Sequence, residues 1–245
     1  AKEIDAKTLA GFAASPRQST TNCDLVLFVD RPSIDRTLNT IVERFQVDLI
    51  PYDPTTLDPP QLRKFHASTL RWPLISRELD RRRSRNYRGV LFADVRDTAF
   101  QSDPFGAMLT SQQIFYGFNG VESRTIGECG WNGGWIRDCF GAQMLQRVSR
   151  KTIICSGVSV GTYDEVKAYL AQMSAIMSEQ RFAKCERNGV DQGVHNVLVH
   201  EQRIPGLKVF PQSTGLVQNL AAHKGVVRGG RVLTPSGALA AVVHQ

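Results

Sequence analysis

Gly89-Val90-Leu91-Phe92-Ala93-Asp94-Val95-Arg96-Asp97-Thr98-Ala99-Phe100-Gln101-Ser102-Asp103-Pro104-Phe105 opens as an apolar run and ends in acids. A buried strand predicted over Gly89 to Ala93 delivers carboxylates to its carboxyl end. Side chains alternate faces along a strand, so Asp94 and Asp97 share a target only if the chain turns between them. One helical turn brings residues three apart to roughly 5–6 Å between Cβ atoms, close enough to hold one ion. Two carboxylates about 4 Å apart repel by about 4 kcal/mol at an effective dielectric of about 20, so the pair calls for a cation or a shared proton. The plainer alternative is a strand end followed by an aspartate helix cap.

Outward from this segment, helix and strand patterns alternate. Lys2 to Ala14 reads as a helix, Asp24 to Asp30 as a buried strand, Ile34 to Phe45 as a helix and Val47 to Ile50 as a strand. Pro51 to Pro60 is a loop, and the helical region from Leu62 to Leu79 is expected to be interrupted at Pro73. Such alternation predicts an α/β protein with a mixed, mainly parallel central sheet flanked by helices. The second half predicts a strand over Gln112 to Phe118 and a glycine-bearing segment, Trp131 to Phe140, that starts a helix. A short strand, Ile153 to Cys155, follows, with a glycine turn at Ser156-Gly157. Helices are expected from Thr162 to Met177 and from Asp191 to Glu201, then short strands to Val243. The helical start and the apolar stretch Ala240 to Val243 before His244-Gln245 suggest one catalytic domain over 1–245, trimmed at both ends.

With 245 residues, 42% hydrophobic and 22% charged, the chain is of globular composition. No apolar run approaches the roughly 18 residues of a membrane span, so no span is expected here, though an anchor could precede the chain. A net charge of +7 draws on Arg81, Arg82, Arg83, Arg85 and Arg88. That run fits an anionic partner or a solvated helix end; without interleaved aromatic residues beyond Tyr87, no nucleic acid is expected. Five cysteines lack CxxC spacing, so zinc is not expected. Cys129 and Cys139 could close a loop in an oxidising lumen, and the odd count suits a reduced compartment equally well.

In an open α/β sheet, ligands bind beyond the carboxyl ends of strands, where Asp94 and Asp97 fall. Ser156-Gly157 offers bare N–H groups to a ligand, or is a plain tight turn. Asp191 and His195, four apart, share a helix face, and Asp191 equally suits a helix N-terminus. His195 and His200 diverge around the helix and do not suit one metal. A haloacid-dehalogenase-type phosphatase needs Asp-x-Asp-x-Thr; here Arg96 fills the acid/base position, where no proton transfer is possible.

The chain resembles nucleotide-diphospho-sugar glycosyltransferases of the GT-A fold. Arg71-Trp72, Val90 to Phe105 with its DVRD…FQSDPF, Trp131-Asn132…Trp135-Ile136, Ile153 to Gly161, Gly189-Val190-Asp191-Gln192-Gly193…Asn196 and Val242 to Gln245 carry the resemblance in order. It implies a single GT-A-like, Rossmann-like domain. It implies a metal, Mn2+ or Mg2+, on Asp94, Asp97 and His244, with the usual Asp-x-Asp lengthened to Asp-x-x-Asp. It also implies that Arg71, Asp94, Ser156 and Gly157 contact a nucleotide-diphosphate sugar, and that Asp191 and Gln192 act near the reacting carbon. The expected reaction is sugar transfer to a glycan or protein hydroxyl, in the Golgi lumen of a eukaryote or the cytoplasm of a bacterium. The alternative is a non-catalytic GT-A-like module that binds anions through its basic face.

Overall fold

The structure, a computed structural model, describes residues 5–20, 22–31, 34–106, 113–221 and 225–245. The elements begin with α1 (Ala6–Ser19), β1 (Leu25–Asp30), α2 (Arg36–Arg44), β2 (Val47–Tyr52) and α3 (Ala67–Arg81). They continue with β3 (Gly89–Ala93), β4 (Thr98–Phe100), β5 (Phe115–Thr125), α4 (Gly130–Phe140), α5 (Ala142–Val148) and β6 (Thr152–Thr162). The remainder is α6 (Tyr163–Met177), α7 (Val190–His200), β7 (Leu207–Phe210), β8 (Val217–Asn219), β9 (Val226–Arg228), β10 (Arg231–Leu233) and β11 (Val242–His244). The start of the expected Lys2 to Ala14 helix, and Gln112, lie outside the described residues.

The protein is a mixed α/β structure whose chain falls into two compact units. Unit 1 comprises Ala1–Arg63, Ala93–Gly106 and Gln212–Gln245; unit 2 comprises Lys64–Phe92 and Ala107–Pro211. In unit 1 the Asp5 side chain accepts the Thr8 N–H at 2.9 Å and the Asp35 side chain accepts that of Leu38 at 2.7 Å, so each helix starts on an aspartate cap. Helices α1 and α2 then bury Leu9, Ala13, Leu38 and Ile41 against Leu27, Val29 and Val47 of the parallel pair β1–β2. This is the β-helix-β unit that the alternating pattern predicts. A second sheet of unit 1 runs β4-β11-β8, and β9–β10 form a hairpin.

In unit 2, β5 and β6 are the long strands, paired antiparallel, with β7 parallel to β5. The sheet order is β3-β6-β5-β7. Around it lie α3, α4, α6 and α7, with Trp72, Phe115, Tyr169, Leu170 and Met173 fully buried. The expected mixed pairing is present, but the one central, mainly parallel sheet is corrected to four sheets of two to four strands, among the described residues. Periodicity identifies a strand without identifying its partner, and β5–β6 chose an antiparallel one.

Three local expectations also change. Helix α3 continues through Pro73, because burial of Thr69, Leu70, Trp72, Leu74 and Leu79 outweighs the backbone hydrogen bond that proline removes. Ser156-Gly157 is not a turn after a short strand but the interior of the eleven-residue β6. The disulfide is Cys139–Cys185, with Cys129 a free, buried thiol. Cys129 caps the start of α4 and Cys139 lies near its end, so about 15 Å of helix rise keeps them beyond disulfide reach.

Candidate metal centre

Strand β3 ends at Ala93, and a tight turn over residues 95–97 leads into β4, so Asp94 and Asp97 flank one corner. Sheet register supplies the third group. Strand β11 runs antiparallel to β4 with His244 opposite Thr98, and parallel to β8 with His244 opposite Asn219. The Gln245 N–H donates to the Asp97 carbonyl at 3.0 Å, which ties β11 to the acidic corner. A residue far along the chain is thereby placed beside the DVRD turn.

One ligand atom from each of Asp94, Asp97 and His244 lies within 4.8 Å of the other two. His244 Nε2 stands 3.7 Å from Asp94 Oδ2 and 3.6 Å from Asp97 Oδ1, beyond hydrogen-bond distance and within range of a shared cation. Its other nitrogen, Nδ1, lies 2.9 Å from Asn219 Oδ1. An amide oxygen can only accept, so Nδ1 carries a proton and Nε2 is the nitrogen that faces the carboxylates. Asn219 is itself placed by its N–H, which donates to Gln212 Oε1 at 3.1 Å. The histidine is buried and the acids are open to solvent on one side. Two carboxylates and an imidazole nitrogen form a donor set suited to a divalent cation such as Mn2+.

The remaining expected site residues gather in unit 2. Asp191, at the start of α7, is 1% exposed, and its Oδ2 accepts from Arg71 Nη2 at 2.8 Å and from Trp72 Nε1 at 3.2 Å. The Arg71 guanidinium lies 4.3 Å from the Trp72 ring centre and reaches Ser156 Oγ at 3.3 Å. Arg71, Ser156 and Asp191 are therefore one cluster. Gln192 makes a two-point contact with β6: its Oε1 accepts the Ser156 N–H at 2.7 Å and its Nε2 donates to the Ile154 carbonyl at 2.6 Å. Asn196 repeats this one turn on, pairing with both backbone groups of Ile154. These amides serve backbone where the β5–β6 register slips between Tyr116–Val160 and Phe118–Cys155, a bulge that carries Ser156 and Gly157.

His195 does not join Asp191. It is fully buried, with Nδ1 2.7 Å from the Tyr169 hydroxyl. Burial, aided by the Arg71 charge, lowers its pKa to about 3, while burial holds the Tyr169 hydroxyl well above its usual range. His200 turns instead to the Thr152 carbonyl at 2.8 Å. In the basic run, Arg82 and Arg81 pair with Glu78 at 2.6 and 3.6 Å, the contacts of a helix end. Sequence reasoning missed Asn219, which carries no local motif and acts through strand register, and it gave Asn196 a place in a motif but no role.

Comparison with protein-family models and with curated proteins finds no match for the chain.

Proposed function

We propose that the chain is a divalent-metal-dependent glycosyltransferase of GT-A type, using a nucleotide-diphosphate sugar as donor and a glycan or protein hydroxyl as acceptor. The observation that carries this reading is the convergence of Asp94, Asp97 and His244 at a strand-end turn, with Asn219 fixing the imidazole. A cation held there would supply charge neutralisation for the diphosphate leaving group. The chain's own residues do the rest: the two carboxylates offset each other's repulsion through a shared positive charge, and buried His244 gives a third, oriented ligand. The spacing Asp-x-x-Asp suits the turn, which brings both acids to one side.

Asp191 and Gln192 enter by the resemblance, as a separate part of the proposal. Asp191, paired with Arg71, would take the acceptor proton in an inverting reaction or stabilise the oxocarbenium-like sugar in a retaining one. Gln192 would hold Ser156 and the bulge of β6 in place. The Cys139–Cys185 bond favours an oxidising compartment such as the Golgi lumen over a bacterial cytoplasm.

The test is calorimetric titration of Mn2+ and turnover of nucleotide sugars with manganese, for the protein and for Asp94→Ala, Asp97→Ala and His244→Ala. Each variant is expected to lose Mn2+ affinity by about tenfold or more, and turnover with it. Unchanged metal affinity and turnover in both aspartate variants would sink the reading. Salt-sensitive anion binding with no nucleotide-sugar affinity would favour the non-catalytic module instead.

A further inference from the structure

Unit 2 holds an open cavity of about 440 Å³ over the first turns of α4. Trp131 lines it and is 70% exposed, its ring 6.0 Å from that of Trp135 at 35°. A large indole left in water gains little from core packing and offers a flat apolar face to a ligand. Three guanidiniums, from Arg124, Arg137 and Arg187, line the same cavity against one carboxylate, Asp138. Arg187 Nη2 lies 2.6 Å from Asp138 Oδ2, Arg137 Nε lies 3.4 Å from Asp138 Oδ1, and Arg124 Nη2 donates to the Glu128 carbonyl at 3.0 Å. Each guanidinium has five N–H donors, so these contacts aim the forks and leave donors for a ligand.

The walls are fixed in advance. Cys139, next to Asp138, is bonded to Cys185, two residues before Arg187, so both sides of the ion pair are anchored by one covalent link. Beneath them Gly189 has φ +80°, and a Cβ there would fall 2.5 Å from Trp135 Cζ2, so only glycine lets Trp135 seat. A site built on anchored backbone has less to order on binding.

We propose that this cavity binds an anionic saccharide unit: the apolar face of a sugar ring rests on Trp131, and its carboxylate, sulfate or phosphate sits in the forks of Arg137 and Arg187. Asp138 accepts ring hydroxyls. A single-stranded nucleic acid would instead need successive stacking platforms along a cationic groove, and this cavity offers one open indole beside a carboxylate. The proposal concerns unit 2 alone and needs no metal, so it stands or falls apart from the metal reading.

Tryptophan fluorescence and calorimetric titrations in EDTA test it, using trigalacturonate, a sulfated heparin-derived oligosaccharide, a phosphorylated mannose oligosaccharide, neutral maltotriose and oligo(dT). At least one acidic sugar is expected to bind saturably, and more tightly than maltotriose by about tenfold; which one binds identifies the anion. Trp131→Ala and Arg187→Gln are each expected to weaken that binding by about tenfold with unchanged circular dichroism. Trp131 is exposed, so its variant tests the site even if Arg187→Gln fails to fold. Absence of acidic-sugar binding, equal binding of maltotriose, insensitivity to Trp131→Ala, or tighter binding of oligo(dT) would each overturn the proposal.

Discussion

His195 shows how strongly one buried side chain can shape the response to pH. Its folded-state pKa of about 3 lies below the ordinary 6.5, chiefly through burial and then through the Arg71 charge. Below pH 6.5 the unfolded chain takes up a proton that the folded chain refuses, so stability falls as pH drops toward about 3 and is fully present above 6.5. The slope for one such group is about 1.4 kcal/mol per pH unit. His200, lowered by burial as well, acts in the same direction. Urea midpoints measured from pH 7.5 to pH 5 are expected to decline, and His195→Gln, which keeps an acceptor for the Tyr169 hydroxyl, is expected to flatten the decline. An equally steep decline in that variant would assign the effect to other groups. In sequence, His195 reads only as a partner for Asp191 four residues earlier; that Tyr169 would claim it depends on how α6 meets α7, which no local pattern encodes.

At the scale of elements, strand β3 matches its predicted span, and α2, α4, α6 and α7 fall within two residues of theirs, since apolar periodicity and caps are local signals. Strand partnership is not local. The acids of the DVRD turn were legible as a pair, and His244 through resemblance, yet Asn219 was invisible because only the parallel register of β8 with β11 sets it beside the imidazole. Asn219→Ala is expected to weaken Mn2+ binding by about 10–100-fold in calorimetric titration, with Asn219→Asp, which still accepts the Nδ1 proton, retaining it. Equal affinity in Asn219→Ala would show that β11 alone orients the histidine. Ser156-Gly157 teaches the converse: the glycine signal was real, but it marks a bulge within β6, where side-chain amides of α7 replace ladder partners.

For the whole molecule, the chain leaves and re-enters each unit, so neither is a contiguous stretch. Composition predicts a globular protein and says nothing of that interleaving, because contact between distant segments is set by packing. Within unit 2 the Cys139–Cys185 bond spans a sequence separation of 46, for which loop-closure entropy gives about 4 kcal/mol of stabilisation. The paired variant Cys139→Ser, Cys185→Ser is expected to unfold at lower urea than the oxidised protein, and reductant is expected to reproduce the shift; coincident curves would mean that the bond constrains little. Strand β11 has a different consequence, one of timing. It is the middle strand of its sheet, inserted between β4 and β8, so during synthesis β4 emerges long before the strand that covers its edge. Until then a bare strand edge and two neighbouring carboxylates wait together, open to wrong partners and without the third ligand of the proposed centre. On the proposed reading, cation capture awaits the pairing of β11 with β4 and β8, so a loaded centre would mark a closed sheet.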